Sequence, residues 1–61
     1  MTEDQERWAE ALAVERQFGD LAYVFVEKRI SDLVTAGHTA GVERWKAIAS
    51  RLDQLKQARK Q

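Results

Sequence analysis

Apolar residues recur in this chain at the three- and four-residue intervals of one helical face, not at the two-residue alternation of a strand. Trp8, Ala11, Leu12, Val14 and Phe18 fall on one arc and predict a helix over about residues 3–18. Thr2 followed by Gln5 has the form of a capping box, and Glu3, Asp4 and Glu6 set negative charge at the positive end of that helix's dipole. Gly19 suits the positive-φ position that closes a helix, and Asp20 suits the cap of the next one. A second helix is predicted over about residues 21–36, with Ala22, Val26, Ile30 and Leu33 as its stripe, widened by Tyr23 and Val34. The run Tyr23-Val24-Phe25-Val26 has strong β propensity, but a lone strand would find no partner strand here. Gly37-His38-Thr39 makes a short turn, and Thr39 is the expected N-cap of a third helix over about residues 40–58. There Val42, Trp45, Ile48, Ala49, Leu52 and Leu55 form the most regular apolar repeat in the sequence.

Two short connections predict an all-α, up-down-up bundle of three helices forming a single domain over residues 1–61, with the first and third helices side by side and parallel. One alternative stays open. Counted straight through Gly19, Trp8 and Leu12 share an azimuth with Val26 and Ile30, so residues 3–36 could form one long, kinked helix. Such a helix plus the last one would bury its stripe in an intermolecular bundle.

Composition narrows the function classes. The chain has 61 residues, three glycines, no proline and no cysteine, which removes disulfides, thiolate nucleophiles and thiolate metal sites. A domain of this size buries only about 60% of the surface its unfolded chain exposes. The longest apolar run, Leu21 to Val26, is far short of the roughly 20 residues of a membrane span. The acidic start is unlike a signal peptide, so the expected location is cytoplasmic.

The formal net charge of zero conceals a segregation. Residues 1–20 carry Glu3, Asp4, Glu6, Glu10, Glu15 and Asp20 against Arg7 and Arg16, a net of −4. Residues 38–61 carry Arg44, Lys46, Arg51, Lys56, Arg59 and Lys60 against Glu43 and Asp53, a net of +4. Attraction between first and third helices accounts for this pattern. The alternative is a nucleic-acid-associated regulator whose contacts are Arg44, Arg51, Lys56, Arg59 and Lys60. Those bases scatter in azimuth, and a solvated face explains them more simply.

Candidate chemistry is sparse. His38 is the only histidine and reads as an exposed turn residue. Glu6 and Glu10 share a helical face, but acid–base chemistry also needs a cleft and a tuned pKa. Gly37-His38-Thr39-Ala40-Gly41 could present backbone N–H groups to an anion, yet lacks the lysine and the preceding strand of a P-loop. A helix-turn-helix over Leu33–Glu43 would place polar Glu43 where a buried residue is needed. Both tryptophans fall in apolar stripes and read as core. No catalytic residue, metal, cofactor or small-molecule substrate is therefore expected. Leu21, Val24 and Phe25 lie off the second helix's core stripe, and this apolar surplus makes them the candidate interface.

The stretch Ala36-Gly37-His38-Thr39-Ala40-Gly41-Val42-Glu43-Arg44-Trp45-Lys46-Ala47-Ile48-Ala49-Ser50-Arg51-Leu52 resembles a family of small alphaproteobacterial proteins classed as a domain of unknown function. Trp8-Ala9-Glu10-Ala11-Leu12-Ala13 and Val26-Glu27-Lys28-Arg29-Ile30 extend the likeness over nearly the whole chain. The resemblance implies a short bacterial, cytoplasmic helical protein and carries over no activity, cofactor or site residue. The expected function is a non-enzymatic, protein-binding or self-associating helical module, a homodimer in its simplest form, with nucleic acid as the lesser alternative and no membrane partner.

Overall fold

A computed structural model describes residues 2–59. The elements are helix α1 (Glu3–Phe18), a single 3-10 turn (Gly19–Leu21), helix α2 (Ala22–Thr35) and helix α3 (Thr39–Arg59). The class is all-α, and no strand occurs among the described residues.

The three-helix, up-down-up bundle is not what forms. Helical backbone continues from Glu3 to Thr35 with only the 3-10 turn inserted, so α1 and α2 are two limbs of one long, kinked helix and α3 is the other helix. Residues 3–35 would reach about 50 Å if straight, against a longest molecular extent of 37 Å, so the kink is a true bend. Its sense is legible in the contacts. Along α1, Asp4 pairs with Arg51 and Glu10 with Arg44. Along α2, Tyr23 meets Asp53, Phe25 meets Trp45, and Leu33 lies against Gly41. Both limbs therefore lie against the same stretch of α3, α1 over Arg44 to Arg51 and α2 over Gly41 to Asp53, which a straight continuation could not do. The first and third helices are accordingly not parallel. The long, kinked helix of the alternative is present, and its apolar stripe packs on α3 of the same chain.

The main physical cause sits in one residue, with a smaller departure at Leu21 (φ −90°, ψ 5°). Gly19 adopts φ 57°, ψ −124°, outside any helical basin, while Phe18 and Ala22 on either side stay right-handed. One abnormal residue bends a helix, but no loop is present to turn it back. Asp20 lies inside the 3-10 turn and does not cap α2, whose N-cap position is Leu21 without a side-chain bond.

The other ends are closed by local hydrogen bonds. Thr2 Oγ1 accepts from the Gln5 backbone N–H at 3.2 Å, and the Thr2 N–H donates to Gln5 Oε1 at 3.0 Å, completing the capping box. Gly37, at φ 73°, ends α2 in a Schellman pattern: its N–H donates to Val34 O, and that of His38 to Leu33 O. The cap of α3 is His38, not Thr39. Its Nδ1 accepts the Gly41 backbone N–H at 2.9 Å, one of the donors that a helix start leaves open.

The core is small. Ala11 and Val14 of α1, Ala22 and Val26 of α2, and Ile48 and Leu52 of α3 are buried. Glu15 is buried with them. Phe18, Tyr23, Phe25, Ile30, Trp45, Ala49 and Leu55 pack half-buried around this centre. Val34 departs from expectation: it is 59% exposed and does not widen the core stripe. α1 rests mainly on α3 and little on α2, as the open angle of the kink requires.

Candidate functional site

The residues of the expected interface separate into two kinds. Leu21 closes the 3-10 turn and Val24 follows one helical turn later, so both project from the same side of the kink. They are 64% and 60% exposed. Phe25 turns inward: its ring stacks on Phe18 at 4.1 Å between centroids and meets Trp45 edge-on at 5.8 Å. This aromatic trio holds the kink against α3, with Leu21 and Val24 as its apolar outer surface. Asp20 and Lys28 flank the pair, both exposed.

Arg44, Arg51 and Lys56 of α3 are engaged within the chain. Arg44 donates from Nε (3.0 Å) and Nη2 (2.6 Å) to Glu10 Oε2, and Arg7 contacts the other oxygen of the same carboxylate. Arg51 pairs with Asp4, and its guanidinium lies 5.3 Å from the Trp8 ring centroid. Lys56 Nζ sits 4.2 Å from the Tyr23 ring centroid. Lys60 and the side chain of Arg59 lie outside the described residues. The −4 and +4 segments thus meet across the α1–α3 contact, and any phosphate reaching Arg44 or Arg51 would compete with a carboxylate already there.

Two polar clusters had no separate signal in the sequence. Tyr23 Oη donates to Asp53 Oδ1 at 2.8 Å, across 30 residues of chain. Burial first, then that hydrogen bond and the Asp53 charge, push the Tyr23 hydroxyl from 10.0 up to about 12. A shallow cleft of about 450 Å³ lies between Glu10, Arg29, Leu33, His38, Arg44 and Trp45. Arg29 covers the Trp45 ring there at 5.8 Å. Glu10, one half of the carboxylate pair weighed for acid–base chemistry, is held structurally, by Arg44 at this cleft and by Arg7 of its own helix. No cluster of His, Cys, Asp or Glu able to hold a metal ion occurs among the described residues. No helix among them is long and apolar enough to cross a membrane.

No curated protein and no solved structure matches the chain. A family model does match, over residues 3–61, which takes in both limbs, the kink and α3. The chain with the kinked helix and its exposed Leu21/Val24 face belongs to DUF6961, a family of unknown function.

Proposed function

We propose that this protein is a small non-enzymatic interaction module and that the partner it takes through Leu21 and Val24 is a second copy of itself. The observation that carries this is the exposed pair at 64% and 60%, in a chain whose fully buried aliphatic side chains are few. The charges beside it favour self-recognition. Asp20 lies before the pair and Lys28 after it, so two copies related by a two-fold axis would set each acid opposite the other's base. The patch is much smaller than the surface a stable dimer buries, so the association formed through it alone is weak and concentration-dependent. Assignment to the bacterial, alphaproteobacterial cytoplasm rests on the sequence resemblance.

Sedimentation velocity over a concentration series tests this. The wild type is expected to shift from monomer towards dimer as concentration rises, and the double variant Leu21→Asp/Val24→Asp to stay monomeric with its helical circular dichroism intact. A wild type that stays strictly monomeric into the millimolar range overturns the proposal.

A further inference from the structure

The bend between α1 and α2 turns chiefly on the backbone of Gly19, with smaller departures at Phe18 (φ −111°, ψ −14°) and Leu21 (φ −90°, ψ 5°). Gly19 holds φ 57°, where an L side chain is strained, although a Cβ there would meet nothing within 4 Å. Glycine is therefore required by conformation and not by crowding. Rotating Gly19 into helical values, with small adjustments at Phe18 and Leu21, would turn residues 3–35 into a single rod. The apolar positions on both sides are already in phase for that: Trp8, Ala11, Phe18, Ala22 and Phe25 recur at three-, four- and seven-residue steps through Gly19. In the rod, α1 would leave α3 and expose Ala11 and Val14 on one side and Ile48 and Leu52 on the other.

From this we infer that α1 swings out about Gly19 and docks on α3 of a second copy, giving a homodimer with exchanged α1 limbs. The occupant is defined by the contact already present. The surface that receives α1 through Asp4–Arg51, Trp8 beneath Arg51, and Glu10–Arg44 is identical on every copy. Exchange reproduces these contacts between chains and releases the glycine conformation. It also brings the two hinges, and with them the exposed Leu21 and Val24 of both copies, near the two-fold axis. The inference rests on a second copy being the partner, and adds that the limbs trade places.

The test uses the full chain, which lacks native cysteine. Asp4→Cys/Arg51→Cys, joined by a short bis-maleimide, gives a monomer-mass product when α1 sits on its own α3 and a dimer-mass product when it sits on another's. Adding Gly19→Ala is expected to move most product to dimer mass and to tighten dimerisation at least about twenty-five-fold, the square of the roughly fivefold preference for alanine over glycine at one helical position. Intrachain product alone from a helical Gly19→Ala chain overturns the exchange. If that chain is also dimeric by sedimentation, the side-by-side association survives and only the exchange falls. Should Gly19→Ala fail to fold, the Gly19 chain is refolded from denaturant at micromolar and millimolar concentration. Interchain product rising with concentration supports exchange, and intrachain product at both overturns it.

Discussion

The His38 imidazole and the Gly41 backbone form a matched pair. Nδ1 accepts the Gly41 N–H at 2.9 Å, and a Cβ on residue 41 would lie 2.6 Å from that nitrogen and 3.0 Å from Leu33 Cδ2. The ring can cap α3 only because residue 41 has no side chain. His38 also ends α2 through its own N–H to Leu33 O, so one residue closes one helix and opens the next.

This coupling predicts a non-additive double-mutant cycle. His38→Ala should cost about 1 kcal/mol, the usual loss of an N-cap. Gly41→Ala alone should leave stability nearly unchanged, because the gain in helix propensity of about 1 kcal/mol is offset by the displaced cap. In the His38→Ala background the obstacle at the ring is gone, and Gly41→Ala should stabilise by most of that gain. Denaturant midpoints of the four chains measure the coupling, and additive values would mean the ring does not cap.

Much of this architecture was legible in the sequence, for reasons that can be named. Thr2/Gln5, Gly19 and Gly37 are local signals, and the helix limits follow them closely. The sense of the bend was not legible. Glycine permits both a reversal and a kink, and the continuous apolar phase across Gly19 is the one feature that favours the kink. Asp20 and Thr39 are stronger capping types than His38, yet the 3-10 turn absorbed Asp20, and the Schellman geometry placed His38 where the Gly41 N–H points. The outward azimuth of Leu21 and Val24 was readable, but Phe25 lies against Phe18 and Trp45 because the bend closes the seven-residue step between the two phenylalanines at the junction. The Arg44 and Arg51 partners lie 34 and 47 residues away and depend on the tertiary path.

Tyr23 supplies an alkaline prediction. Its hydroxyl titrates near 12 in the folded chain against 10.0 ordinarily, from burial first and then from Asp53. Folding therefore favours the protonated phenol. Its contribution is fully present below pH 10 and is lost as pH rises towards 12. As the chain has one tyrosine, tyrosinate absorbance reports this residue alone. Asp53→Asn should lower the midpoint, and Tyr23→Phe should remove this part of the alkaline loss. A native midpoint near 10 would contradict the packing described.

Glu10 anchors the α1–α3 contact with its side chain 27% exposed, receiving Arg44 from α3 and Arg7 from α1. Glu10→Gln should destabilise by about 1 kcal/mol, the partly exposed setting keeping the loss near the lower range for charged hydrogen bonds. Reversing the interhelical pair with Glu10→Arg/Arg44→Glu should recover only part of this, because Arg7 would then face a like charge. Salt should narrow the gap between wild type and Glu10→Gln. Equal stabilities at low salt would show that the pair contributes nothing.

The core has little to spare, and Leu52 measures how little. It is fully buried with Ile48 and Val26, the three largest side chains excluded from solvent among the described residues. Leu→Ala at such a site costs about 2–5 kcal/mol. A chain of 61 residues has a total stability of about 3–9 kcal/mol at ordinary values per residue. Leu52→Ala should therefore bring the isolated chain close to its unfolding midpoint at room temperature, read as loss of helical circular dichroism with a broad thermal transition. If copies of the chain associate, helicity should return as concentration rises, because binding restricted to the folded state stabilises it by mass action. Helicity that is low and independent of concentration would place all of the chain's stability within one copy, and would remove self-association as a source of it.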